Sequence, residues 1–113
     1  MKYVLLFWTD PSGESSTEAS AAFRSRVEAW DQQMTDKGVL VLGQSLDHVD
    51  QAMSVQVRNG DVVLTDGPFA ETKEQIAGFS IIESASMEEA LDVAASIPLA
   101  EIGTVEVRQF DES

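Results

Sequence analysis

Residues 65–79, TDGPFAETKEQIAGF, hold the densest set of groups in the chain that could do chemistry. A β-branched run, Val62-Val63-Leu64-Thr65, ends on the carboxylate of Asp66; Gly67 then permits backbone angles other residues avoid, and Pro68 fixes its own φ and removes a donor. Proline also drives its predecessor away from helical angles, so the chain must turn here with Asp66 on the lip of a strand. Phe69 follows as an apolar anchor, and Glu71, Lys73 and Glu74 bring both charge signs together. A strand-end carboxylate beside a rigid corner suits a general acid or base. The competing reading is local: an aspartate in this place can cap the next turn with its own side chain.

Few other groups compete with Asp66 for a chemical role. His48 is the single histidine, the residue type that titrates nearest neutrality, although it sits in a polar stretch that also reads as an exposed loop. Asp47, His48 and Asp50 together would make a weak hard-cation site, and no metal centre is expected. Lys73 and Arg108 are the cations best placed to hold an anionic group; each has a plain alternative as a partner of neighbouring glutamates, Glu71 or Glu74 for the lysine and Glu106 for the arginine. Tyr3 could aim a phenol into a cavity or simply pack. With Gly67, Pro68 and Phe69 these residues form the expected ligand-binding set.

Composition removes whole classes of function. The absence of cysteine excludes disulfides and thiol catalysis and agrees with a reducing cytoplasm. A formal charge of −13 with seven lysines and arginines scattered along the chain argues against nucleic acid and slows the approach of anions unless a local cation opposes the field. No apolar run approaches membrane-spanning length, and Met1 leads straight into a strand-like run with no basic segment before it, so a soluble, unexported protein is expected. There is no phosphate-binding glycine loop, nucleophile-elbow serine or zinc-ligand spacing, and the chemistry expected is cofactor-free.

The elements that must position these groups read as one domain over residues 1–113. Residues 2–8 are apolar on both alternating faces, which fits a central strand covered on both sides. Asp10-Pro11-Ser12-Gly13 is a turn cluster; Ser15 with Glu18 is a capping-box pattern, and Ala19, Phe23, Val27, Trp30 and Met34 form a helical stripe closed by Lys37 and Gly38. Residues 39–42 predict a second buried strand and residues 46–52 a loop. From Met53 the pattern alternates up to Asn59-Gly60 and resumes after it, a strong signal for a two-residue type I′ hairpin. Residues 76–83 predict a strand, Ser86 with Glu89 caps a short helix ending before Pro98, and residues 104–110 predict a last strand. Asp111, Glu112 and Ser113 predict a frayed end.

The order is β-α-β, an inserted β-hairpin, then β-α-β, an α+β pattern of ferredoxin-like kind with an antiparallel sheet. If Arg58 lies opposite Asp61, then Val57 faces Val62, Val55 faces Leu64 and Met53 faces Asp66. Asp66 thus falls on the apolar side, where desolvation would raise its pKa unless a cation compensates. Two helices cover one side of such a sheet, while residues 2–8 and 39–42 are apolar on both. A second copy is the economical cover, so a homodimer is expected, with the hairpin lapping over the partner.

Asp66-Gly67-Pro68-Phe69, continued as Ala70-Glu71-Thr72-Lys73-Glu74-Gln75 and closed by Gly78-Phe79, resembles the signature of the DGPF group within the YCII-related proteins. Supporting stretches are Met1-Lys2-Tyr3-Val4-Leu5-Leu6, Gly38-Val39-Leu40 and Gly103-Thr104-Val105-Glu106-Val107-Arg108, so the likeness spans nearly the whole chain. The resemblance implies a dimeric α/β barrel of ferredoxin-like topology and no settled reaction. Relatives often carry an aromatic residue at the position of Val93 and a histidine near Ile97; both are aliphatic here. Two functions follow as expectations. The first is a cofactor-free lyase, isomerase or hydrolase acting on a small anionic or aromatic-derived metabolite, with Asp66 moving a proton. The second is a non-catalytic dimeric ligand sensor or protein-binding module, because members of the group are often encoded beside extracytoplasmic-function sigma factors and such association would make the chain an accessory to one.

Overall fold

The computed structural model describes residues 1–11 and 17–112, with side chains of the first helix described from residue 21 onward. Along the chain run β1 (Lys2–Thr9), α1 (Thr17–Asp36), β2 (Leu40–Ser45), β3 (Met53–Arg58), β4 (Asp61–Asp66), β5 (Gln75–Glu83), α2 (Met87–Ser96) and β6 (Thr104–Gln109), with single 3-10 turns at Val49–Gln51 and Pro98–Glu101. The main sheet is antiparallel in the order β2-β5-β1-β6, and β3 pairs with β4 apart from it. This is the ferredoxin-like split arrangement with a hairpin inserted ahead of its third strand, as the order of apolar patterns predicts.

Alternation along β1 sorts its side chains cleanly. Tyr3, Leu5 and Phe7 are buried on the side covered by the helices, where they meet Trp30, Met34, Ile82, Ala90, Ala94 and Ile97. Each large side chain so buried contributes about 1.5–3 kcal/mol. The indole N–H of Trp30 donates to Ser96 Oγ at 2.8 Å, and that hydroxyl donates to the Val93 carbonyl at 2.6 Å, which locks α1 onto α2. Ile97 is 1% exposed in this core. Tyr3 belongs to the same core at 1% exposure, so its phenol ring is a packing element and the expectation that it reaches a ligand is corrected.

Helix ends follow the sequence signals. Gly38 adopts φ +74, its N–H reaches the Thr35 carbonyl at 3.0 Å, and the Val39 N–H reaches the Met34 carbonyl at 2.8 Å, the two bonds of a Schellman cap. Ser86 accepts the Glu89 N–H at 3.2 Å and starts α2. The Ser15 and Glu18 capping pattern, the Ala19 side chain, Ser12-Gly13 and Ser113 lie outside the described residues. One strand assignment needs correction: β2 is the sheet edge, and Val41 and Leu42 are about half exposed, because α1 covers only the β2 side chains that face it.

The hairpin keeps the register that its turn dictates. Asn59 (φ 53) and Gly60 (φ 82) make the turn, Arg58 pairs with Asp61, Val57 with Val62, Val55 with Leu64 and Met53 with Asp66. Its apolar side stays exposed to solvent. β3 and β4 touch each other far more than any other element, and the radius of gyration, 16.0 Å, exceeds the roughly 13 Å of a compact chain this long. Among the described residues no helix is long and apolar enough to cross a membrane.

Candidate functional site

The DGPF corner is built as a bridge between the hairpin and β5. Gly67 takes φ +95, a conformation that side chains other than glycine rarely adopt, and its N–H donates to the Ala52 carbonyl at 2.8 Å while its own carbonyl accepts from Ser54 Oγ at 2.9 Å. Beyond Pro68 and Phe69 the Gln75 side chain gathers the loop. Its amide nitrogen donates to the Ala70 carbonyl at 2.7 Å, the Thr72 carbonyl at 3.2 Å and Thr72 Oγ1 at 3.1 Å. The facing loop, residues 46–52, is tied to β5 by Leu46 N–H on the Ala77 carbonyl at 2.8 Å.

Between these two loops and the end of β1 lies a cavity of about 560 Å³. Trp8 and Ile76 form its floor, Leu46, Asp47, His48, Val49, Gln51 and Ala52 one wall, and Pro68, Phe69, Ala70, Thr72 and Gln75 the other. A smaller hollow of about 280 Å³ is also lined by Leu46, Asp47, His48, Val49, Gln75 and Ile76, so His48 serves both. The size falls within the range of small-molecule sites, and two aromatic side chains face a largely apolar space.

The histidine is oriented from its own turn. Asp47 Oδ1 accepts the His48 N–H at 2.8 Å, His48 Nδ1 accepts the Asp50 N–H at 3.1 Å, and the Asp50 carboxylate lies 3.3 Å from the same nitrogen. With Nδ1 engaged by the amide, a neutral ring carries its proton on Nε2; once protonated, Nδ1–H has the Asp50 carboxylate as acceptor. The ring can therefore act as a donor in one state and as an acid in the other. Among the described residues no three His, Cys, Asp or Glu side chains are gathered closely enough to hold a metal ion.

The expected site residues separate on the structure. His48, Pro68 and Phe69 meet in the cavity, with Gly67 shaping the turn that brings the last two there. Asp66 stands outside it: the residue is exposed, its carboxylate receives no hydrogen bond, and neither the turn-capping role nor the desolvation expected of it is realised in the single chain. Its place on the apolar side of the hairpin is as expected, but that side is open to solvent. Lys73 is exposed in the loop and Arg108 lies opposite Val4 on the uncovered side of the sheet, so no lysine or arginine lines the cavity. Neither pairs with the expected glutamates; Glu106 instead accepts the indole N–H of Trp8 at 2.9 Å. Trp8 and Gln75 are the residues that sequence reasoning missed, Trp8 because it read only as a strand residue.

On the helix side, a separate hollow of about 230 Å³ is lined in part by Val27, Asp31, Ser80 and Ile97. Partial burial, with Glu28 nearby, pushes the Asp31 carboxyl above the ordinary range. Among the described residues nothing else titratable lines that hollow.

Comparison with known proteins places this geometry. A relative in Rhizobium meliloti (strain 1021), an uncharacterized protein, is 35% identical over 112 residues, which cover 96% of this chain and 90% of the relative. Among solved structures, 5-chloro-2-hydroxyhydroquinone dehydrochlorinase from Burkholderia phenoliruptrix AC1100, in complex with 2,5-dihydroxybenzoquinone, superposes with a TM-score of 0.57 at 13% identity, covering all of this chain and 96% of that one. That likeness is one of fold. The model of the YCII-related domain matches residues 1–112, and the chain belongs to the YCII-related family.

Proposed function

We propose that the chain is a cofactor-free acid/base enzyme, a lyase or isomerase, acting on a small neutral aromatic-derived metabolite with His48 as the proton-transfer group. The observation that carries this is the placement of the single histidine on the wall of a 560 Å³ cavity that Trp8 and Phe69 line with aromatic surface. A flat ring matches such walls, since aromatic pairs gain about 0.5–1.5 kcal/mol beyond burial. A neutral substrate fits better than the anion first expected, because the cavity has no lining cation and the chain carries −13. Asp66 gives up the proton-transfer role because it stands outside the cavity. A protein of this fold that takes a hydroxylated quinone adds support by analogy.

His48 would work with its turn. As imidazolium it holds Nδ1–H against the Asp50 carboxylate and releases the Nε2 proton to a ring carbon or oxygen; the neutral ring left behind keeps Nδ1–H on that carboxylate and presents a bare Nε2, which takes up the proton that the substrate or water gives back. We further infer that two copies pair through the sheet side opposite the helices, where Val4, Leu6, Trp8, Phe79 and Ile81 line up without cover.

Thermal-shift screening with small phenols and hydroxyquinones tests the reading. A ligand at ten times its Kd stabilises by about 1.4 kcal/mol, enough to raise Tm by about 5 °C in a chain this long. The shift is expected in the wild type and in Asp66→Asn, and lost in Trp8→Ala; with any compound that is turned over, His48→Gln is expected to lose turnover. Turnover that survives His48→Gln and disappears in Asp66→Asn would reverse the assignment.

A further inference from the structure

The hairpin presents its apolar side to solvent and its polar side to its own chain. Met53, Val55, Val57, Val62 and Leu64 share one face and are 57–65% exposed, whereas Ser54 and Gln56 on the other face are half-buried. That face amounts to roughly 500 Å² of apolar surface, at the upper end of what a monomer tolerates. It sits on a two-stranded element that is marginal by itself. The other uncovered apolar surface is the open side of the main sheet, to which β3 and β4 are not paired.

We propose that in the homodimer the β3–β4 hairpin of each copy lies with its apolar face across the open sheet side of the other, and that the cavity beside Trp8 and His48 is complete only when the partner closes it. A two-fold contact makes the arm-on-sheet pairing twice, so both patches are covered by one arrangement. A standard interface takes roughly 800 Å² from each partner, and the hairpin face adds to what the sheet side offers. Chemistry agrees along the seam: Met53, Val55, Val57, Val62 and Leu64 are uncharged, as are Val4, Leu6, Phe79 and Ile81, with Asp66 the one charge on the hairpin face, at its base, and Glu106 and Arg108 to one side on β6, an edge strand. Continuity with the site comes from Trp8, which belongs to the open sheet side and floors the cavity, and from Phe69, which lines the cavity yet is 82% exposed.

This inference rests on the dimer and the cavity proposed above, and its test separates them. Sedimentation equilibrium of the wild type, of Val55→Glu with Leu64→Glu, and of Val63→Glu on the opposite hairpin face is read beside far-UV circular dichroism. The exchange predicts a dimer for the wild type and for Val63→Glu, and dissociation at least about tenfold weaker in affinity for the double variant with its spectrum unchanged. A second measurement does not depend on that variant folding. The chain has no cysteine, so Val55→Cys or Val57→Cys mixed with Leu6→Cys or Ile81→Cys and oxidised should yield a cross-linked pair. A double variant as dimeric as the wild type, or no cross-link from any of the four mixtures, overturns the exchange and leaves the sheet-side dimer standing; a monomeric wild type removes both. Ligand shifts of the wild type are read independently, so failure of the catalytic reading would be seen separately.

Discussion

A Cβ at Gly103 would sit 2.2 Å from the Trp8 carbonyl oxygen, where backbone offers no room to yield. Gly103→Ala is therefore expected to cost about 2–4 kcal/mol, read as a fall in the urea midpoint, and to disturb the Trp8 end of the cavity. Asp31 makes an opposite prediction. Its carboxyl is held above the ordinary range, so the folded state binds its proton more tightly than the unfolded state and stability falls as pH rises through that window. Asp31→Asn should raise Tm at pH 7 by about 1–2 °C and leave it nearly unchanged near pH 3, where the wild-type carboxyl is already neutral. An equal effect at both pH values would show that packing, not charge, decides the position. His48 and Asp66, offered together by the sequence, part in the structure: His48 lines the cavity and Asp66 does not. Residue type and register said that Asp66 faces the apolar side, which it does; they could not say that this side is open in the chain and that the polar loop around His48 folds over Trp8.

The hairpin shows why some elements are legible and others are not. Asn59-Gly60 fixes a two-residue turn, and the turn fixes every pair from Arg58–Asp61 to Met53–Asp66, so local chemistry determines the register. The cavity loops carry no comparable signal. Their closure depends on the Gln75 amide reaching Ala70 and Thr72 across the loop, a side-chain contact that no periodicity reports. Gln75→Leu should retain the fold, lose about 1–2 kcal/mol, and raise hydrogen exchange selectively in residues 69–74. Uniform exchange in wild type and variant would mean that the loop is held by other contacts. Elsewhere α1 is pinned to the Pro98–Glu101 turn by an Arg26–Glu101 ion pair, whose hydrogen bond holds the Glu101 carboxyl below its usual range. Both partners are exposed, so the pair orients the segment more than it stabilises it.

Taken whole, the chain is a flat body with one side covered by helices and one side bare, 47 × 44 × 19 Å in extent. Apolar runs on both faces of β1 announce the bare side in the sequence, and they do so because a strand cannot hide which faces are apolar. The distance between hairpin and body could not be read that way, since it depends on contacts that the chain does not make with itself. The proposed dimer must form against the repulsion of two chains carrying −13 each, so raising salt from about 50 to 500 mM should tighten association by screening it. A dimer that weakens with salt would point to ion pairs in place of the apolar seam. The cavity is tested most directly through His48, because a chain with one histidine gives one set of imidazole C–H resonances. Titrating the protein with small phenols while following those resonances by NMR should move them saturably in the wild type and in Asp66→Asn, and leave them still in Trp8→Ala. Resonances that never move with a compound that raises Tm would place binding elsewhere and contradict the account.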